Sequence, residues 1–103
     1  MTQPELLKFI EDAQKRELQI IKVKNSDYGA TTDPFANFRM FGELGFAVRL
    51  SDKLSRIKTL LERGSAMVKD ESLEDTIMDM ANYCNLLLAY RKENETTRNI
   101  KKS

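Results

Sequence analysis

The last apolar stretch of the chain, residues 70–90, begins with acidic residues and then becomes almost wholly apolar. Taking 100° per residue, the pattern predicts a helix on which Asp75, Asp79 and Asn82 share a sector roughly 60° wide. From Ile77 onward the other sides are apolar as well, so we expect this helix to be covered on more than one side. A carboxylate on such a helix needs a cation, a metal ion or several hydrogen-bond donors.

Helical spacing of the apolar residues predicts two further long helices. The first begins at Thr2, with Glu5 as its capping-box partner, and ends after about 20 residues near Lys24. The second runs from about residue 43 to residue 63. It ends at Gly64, which stands where a left-handed C-terminal cap belongs.

A loop and a short helix connect these two long helices. Residues 24–34 are rich in turn formers and predict the loop. Asp33 and Pro34 then predict an N-cap and a first helical residue, opening a short helix that Gly42 interrupts. We expect the three phenylalanines of this short helix in the core: Phe35, Phe38 and Phe41.

These elements, with short connectors and no strand signal, predict an all-α fold. We expect a single all-α domain over residues 1–92, followed by a polar tail, residues 93–103, that is frayed or disordered. Because the final helix is apolar on two sides, the pattern also predicts a helical-bundle homo-oligomer, most simply a twofold dimer.

The composition of the chain limits which kinds of binding surface and catalytic site it can form. Seventeen basic and sixteen acidic residues give a net charge of +1, which provides no overall field for nucleic acid or a membrane. There is no histidine, so typical zinc sites and histidine-based nucleophilic catalysis are excluded. The single Cys84 is expected to be a small core residue. No signal peptide or membrane-spanning run is visible, which predicts a soluble, cytoplasmic protein.

Two groups of charged residues are candidates for a functional site. The second long helix carries Asp52 among basic residues, and the final helix carries Asp75 and Asp79. The three acids could hold Mg²⁺ while the basic residues hold phosphates. Alternatively, Asp75 and Asp79 neutralise Arg49 and Arg56 in an ionic network that fixes the register of the helices. The spacing leaves both interpretations open.

Five sequence blocks in fixed order carry a resemblance to a known family. They are residues 24–29 (KNSDYG), 37–38 (NF), 49–57 (RLSDKLSRI), 70–75 (DESLED) and 79–83 (DMANY). The chain resembles the family called nucleotide modification associated domain 1, over roughly residues 24–90. Members are common in phages and bacteria, which implies the cytoplasm of a bacterial or phage-infected cell.

More distantly, the chain is similar to the all-α nucleoside triphosphate pyrophosphohydrolases of the MazG type. Those are helical dimers or tetramers whose Mg²⁺ is held by paired acidic motifs on facing helices. Asp79 takes the place of the final acid, with Asp75 one turn earlier. Asp52 is flanked by Lys53 and Arg56 where those enzymes have a second glutamate, and Glu43 could substitute only if the helices are offset.

The leading hypothesis is therefore a protein that binds a phosphorylated nucleotide, with Mg²⁺-dependent pyrophosphohydrolysis as its enzymatic form. The alternatives are a non-catalytic phage protein that sequesters a nucleotide, and a structural oligomerisation module. The predicted metal ligands are Asp52, Asp75 and Asp79. The predicted nucleotide-binding residues are Lys24, Tyr28, Asn37, Arg49, Lys53, Arg56 and Asn82.

Overall fold

The computed structural model describes residues 1–27, 33–64 and 72–102. Three helices account for most of these residues: α1 (Gln3–Asp27), α2 (Gly42–Glu62) and α3 (Ser72–Lys102). The described residues contain no strand, so the predicted all-α class is confirmed. No helix among them is long and apolar enough to cross a membrane.

The chain divides into two compact units, residues 1–34 and 35–103. The first unit contains α1. Its N-terminus is capped as predicted, because the backbone N–H of Glu5 donates to the Thr2 hydroxyl at 3.3 Å. The helix ends at Asp27, one turn beyond the expected end near Lys24. An i,i+4 ion pair joins the exposed side chains of Lys8 and Asp12 at 3.1 Å.

The second unit is built on an antiparallel pair of helices, α2 and α3. Arg91, late in α3, forms an ion pair at 3.1 Å with Glu43, which lies in the first turn of α2. Ten residues further along α2, Lys53 contacts Asp79, which lies twelve residues earlier in α3. The order of partners reverses along the two helices, which establishes the antiparallel arrangement.

An aromatic cluster fills one end of this helix pair. Phe46 of α2 is fully buried, and its ring stacks on Phe38 at 4.1 Å with an interplanar angle of 10°. Tyr90 of α3 lies 5.3 Å from Phe46 and 5.4 Å from Phe35. Offset and edge-on ring pairs of this kind add to the stabilisation from apolar burial. The cluster fixes residues 35–38 against both helices.

The segment before α2 differs from the prediction. Residues 34–41 form successive turns instead of a short helix. The hydrogen bonds from Phe38 N to Phe35 O (2.8 Å) and from Phe41 N to Phe38 O (3.2 Å) span three residues. Gly42 interrupts the segment as expected, with a φ of +59° that favours glycine. Phe35 and Phe38 pack in the core as predicted, but Phe41 is 68% exposed, so that part of the expectation is wrong.

The final helix extends beyond residue 92. α3 runs through residues 93–102 to Lys102, and the fraying of this tail stays a prediction. Arg and Glu are good helix formers, and Arg39 anchors the start of this segment by donating to Glu93 at 3.0 Å. Cys84 is exposed instead of forming part of the core, because α2 covers a different side of α3.

Candidate functional site

Two basic residues of α2, Lys53 and Arg56, contact α3. The Nζ of Lys53 lies 3.4 Å from Oδ2 of Asp79. Both side chains are 28% exposed, so this pair is partly shielded from water. One of the two interpretations paired Asp75 and Asp79 with Arg49 and Arg56, whereas the structure shows an ion pair between Asp79 and Lys53. The pair joins the middle of α2 to the first half of α3.

Arg56 also joins α2 to α3. Its Nε donates to the hydroxyl of Thr76 at 3.2 Å, and that hydroxyl donates in turn to the backbone carbonyl of Ser72 at 2.5 Å. Thr76 is only 4% exposed. Because a buried hydroxyl needs both a donor and an acceptor, Arg56 has a structural role at this point.

The predicted acidic metal ligands do not gather in the structure. Among residues 1–27, 33–64 and 72–102, no three acidic, cysteine or histidine side chains are placed to hold a metal ion. Asp75 is exposed on α3, Asp79 faces Lys53, and Asp52 lies on another side of α2. A Mg²⁺ ion held largely by phosphates and water needs only one or two carboxylates. Magnesium at Asp52, Asp75 and Asp79 therefore stays a prediction.

Arg49, Asn37 and Asp52 meet at one cleft. It lies between the turns of residues 34–41 and the first three turns of α2, and its volume is about 380 Å³. The residues from α2 recur at intervals that place them on one side of the helix. Apolar side chains make up most of the wall. The full lining is Asn37, Phe38, Phe41, Leu44, Gly45, Val48, Arg49 and Asp52.

The shape of the cleft depends on Gly45. A Cβ atom at this position would lie 3.2 Å from the Cβ of Phe41, closer than side chains ordinarily approach. The missing side chain therefore lets Phe41 rest against α2 while its ring stays 68% exposed. Phe38 closes the inner wall because Phe46 stacks against one of its faces.

Arg49 and Asp52 supply the charges of the cleft. Within the part of the chain that the structure describes, neither forms an ion pair or a side-chain hydrogen bond, in contrast to Lys53 and Arg56. A guanidinium group and a carboxylate are thus available at an apolar wall. Such a combination can bind an anionic group, a planar ring and a hydroxyl group together.

The other predicted site residues lie elsewhere. Lys24 is in the last turn of α1, within the first unit, and Tyr28 lies outside the described residues. Asn82 is 6% exposed within the second unit. Glu43, considered as a substitute metal ligand, pairs with Arg91 at 3.1 Å.

Sequence reasoning missed the apolar wall of the cleft. Leu44 and Val48 are spaced i,i+4 on α2, outside the stripe that faces α3, and both are more than half exposed. That second apolar stripe beside Arg49 was visible in the sequence. The position of Phe41 above it was not, because it depends on the turns that precede α2.

The family model for nucleotide modification associated domain 1 matches residues 24–89, and the chain belongs to this family. The match spans α2, the first part of α3 and the turns that form the cleft. No curated protein and no solved structure matches the chain. The resemblance to MazG-type enzymes stays a hypothesis.

Proposed function

We propose that the protein binds a phosphorylated nucleotide in the cleft formed by residues 37–52. In this proposal Arg49 binds phosphate and the ring of Phe41 stacks against the base. Asn37 hydrogen-bonds the edge of the base, and Asp52 accepts a hydrogen bond from a sugar hydroxyl. The family description, which associates the domain with nucleotide modification, supports a nucleotide as the ligand class.

The proposal rests on the position of Arg49, which lines the cleft and forms no ion pair within the described residues. Of the three basic residues of α2 predicted to bind the nucleotide, Lys53 contacts Asp79 and Arg56 binds Thr76. Arg49 lines the cleft instead. The planar guanidinium group presents paired N–H donors that match two phosphate oxygens, and hydrogen bonds to charged groups each contribute about 1.5–3 kcal/mol.

The apolar wall suits a nucleobase. Phe41 lines the cleft and is 68% exposed, so its ring is accessible to a ligand. Stacking of a base on an aromatic ring contributes about 1–3 kcal/mol and tolerates any base. Asn37 provides two donors and an acceptor, the groups that distinguish one base edge from another.

The size of the cleft is also compatible with a small ligand. Its volume of about 380 Å³ lies near the lower end of the usual range for small-molecule sites, roughly 300–1,000 Å³. Such sites are mostly apolar with a few polar groups that orient the ligand, and this lining has that composition. A mononucleotide fits this description better than a polynucleotide, because the net charge of +1 provides no extended basic surface.

Binding is favoured over hydrolysis as the primary activity. Hydrolysis of the MazG type would use several acids around Mg²⁺, whereas the proposed cleft contains the single carboxylate of Asp52. When Mg²⁺ accompanies a triphosphate, it neutralises phosphate charge, and Asp52 would be the residue that holds it. A binder that leaves its ligand intact would sequester nucleotides.

A thermal-shift panel of mono-, di-, tri- and cyclic nucleotides, with Mg²⁺ and with EDTA, tests the proposal. Ligand at 100 times its Kd stabilises the folded state by about 2.7 kcal/mol, whatever its later fate. We expect at least one nucleotide to raise the Tm in EDTA and to be recovered intact by chromatography. Hydrolysed product formed only with Mg²⁺ would favour the enzymatic alternative.

The runner-up is a structural module with no ligand. It is favoured by the Lys53–Asp79 and Arg56–Thr76 contacts, which fix the register of α2 against α3 without any ligand. If no nucleotide shifts the Tm of the wild-type protein under either condition, the binding proposal is wrong and this alternative replaces it.

A further inference from the structure

We infer that α3 carries the interface of a homodimer, on a stripe formed by Ile77, Ala81, Cys84 and Leu88. Ile77 is 49% exposed, Leu88 is 69% exposed and Cys84 is also exposed. The spacing of four, three and four residues is the spacing of a helix–helix seam. The stripe lies roughly 130° around the helix from the side that contacts α2, so the two sides are separate.

The stripe is complementary to a second copy of itself. In an antiparallel pair around a twofold axis, residues equally far from the axis on either side meet each other. If the axis crosses midway between Asn82 and Tyr83, Ile77 meets the partner subunit's Leu88 and Ala81 meets the partner subunit's Cys84. Large side chains then meet at both ends, and small side chains meet in the middle.

The small central residues allow the two helices to approach closely. With axes about 9–10 Å apart and Cα atoms about 2.3 Å from each axis, facing Cα atoms lie roughly 4.4–5.4 Å apart. Ala81 and Cys84 fit this space, whereas two large residues would hold the helices further apart. The exposed position of Cys84 thus suits a close contact with a second copy.

Charges at the ends of the stripe select the antiparallel orientation. Glu74 lies three residues before Ile77, and Arg91 lies three residues after Leu88. The same twofold axis places Glu74 opposite the partner subunit's Arg91, at both ends of the seam. A parallel pairing would bring like charges together, which is unfavourable. Arg91 keeps donors for this contact, because a guanidinium has five N–H groups and its bond to Glu43 uses one nitrogen.

Chromatography with multi-angle light scattering tests the dimer directly. We expect the wild-type chain to have twice its mass of 11.9 kDa. Leu88→Lys should give monomers with an unchanged far-UV circular dichroism spectrum, because each dimer would bury two unpaired charges. Leu61→Lys is the matched control: Leu61 is a 56%-exposed leucine on α2 and lies outside the stripe, so this variant should stay dimeric.

Disulfide formation tests the register without disrupting the interface. Ala81→Cys places a thiol opposite the partner subunit's Cys84, at a separation within the roughly 4.4–6.8 Å between Cα atoms that a disulfide requires. Mild oxidation should convert this variant to a covalent dimer on a non-reducing gel. Ala89→Cys, an exposed position on α3 about 110° away from the stripe, should give no more covalent dimer than the wild type.

Several outcomes would overturn the inference. A wild-type monomer at about 100 µM, well above a micromolar Kd, would do so. A dimer that Leu61→Lys dissociates and Leu88→Lys does not would place the interface on another surface, such as α2 or α1. Equal disulfide yields from Ala81→Cys and Ala89→Cys would reject the register.

Discussion

The aromatic cluster provides the strongest test of the fold. Phe46 is fully buried, with Phe38 at 4.1 Å and Tyr90 at 5.3 Å between ring centroids. Replacing a buried phenylalanine by alanine removes apolar contacts and leaves a cavity, at a cost of about 3–5 kcal/mol. A chain of 103 residues has a total stability of about 5–15 kcal/mol, so Phe46→Ala should lose a large part of it.

Urea unfolding followed by circular dichroism measures this loss. With an m value of about 1.5 kcal/mol/M, the midpoint should fall by about 2–3 M in Phe46→Ala. Phe46→Leu, which keeps most of the volume, should lose less than about 1.5 kcal/mol. These two variants separate the effect of the cavity from a general effect of substitution at this position.

Phe41→Ala is the matched control for this experiment. Phe41 is five residues away in the chain but 68% exposed, so its removal should change the free energy of unfolding by less than about 0.5 kcal/mol. Equal destabilisation by Phe41→Ala and Phe46→Ala would refute the described packing. According to the proposed function, Phe41→Ala should nonetheless weaken nucleotide binding.

Three further changes test the contacts around α2 in the same urea assay. A double-mutant cycle with Lys53→Met and Asp79→Asn should give a coupling energy of about 0.5–1 kcal/mol, since the pair is only partly shielded. Thr76→Val should lower the free energy of unfolding by about 1–2 kcal/mol, because Arg56 Nε and the Ser72 carbonyl lose their buried partner. Gly64→Ala should lower the free energy of unfolding by about 1–2 kcal/mol, because alanine is strained at a φ of +90°.

Each of these changes has its own control. A coupling energy of zero would mean that Lys53 and Asp79 do not interact in solution. Thr59→Val, at an exposed threonine of α2, should change the stability by less than about 0.5 kcal/mol, and a loss equal to that of Thr76→Val would contradict the role of burial. Gly64→Asn should cost less than Gly64→Ala, since asparagine tolerates positive φ; the reverse order would count against the left-handed cap.

Local features of the fold could be predicted from the sequence because they depend on nearby residues. The cap of α1 follows from the spacing of Thr2 and Glu5, and the end of α2 follows from Gly64. Helical periodicity likewise identified the three long helices. Hydrogen-bonding groups within one turn determine each of these features, so no knowledge of tertiary contacts was needed.

Features that depend on the register between helices could not be predicted. A helical wheel shows that Asp79 needs a cation, a metal ion or several donors, but only the alignment of α2 with α3 makes Lys53 its partner. The exposure of Phe41 depends on the turns before α2, and that of Cys84 depends on which side of α3 meets α2. The periodicity of apolar residues alone cannot tell which of two apolar sides of a helix contacts another helix of the same chain.

Only some features of the candidate site could be predicted from the sequence. Arg49 and Asn37 were both predicted to contact the nucleotide, and the structure places both at one cleft. Lys53 and Arg56, which the sequence could not distinguish from Arg49, contact α3 instead. Three basic residues within eight positions look equivalent until their neighbours across the helix pair are known.

Isothermal titration calorimetry in EDTA, with the nucleotide that raises the Tm most, measures how much Arg49 contributes to nucleotide binding. Arg49→Ala should weaken binding about 10- to 100-fold, the effect of losing a hydrogen-bonded charge on phosphate. Arg63→Ala is the matched control, since Arg63 lies at the far end of α2, about 21 Å from Arg49 along the helix axis. We expect Arg63→Ala to bind like the wild type. Equal affinity of Arg49→Ala and the wild type would contradict the proposed site.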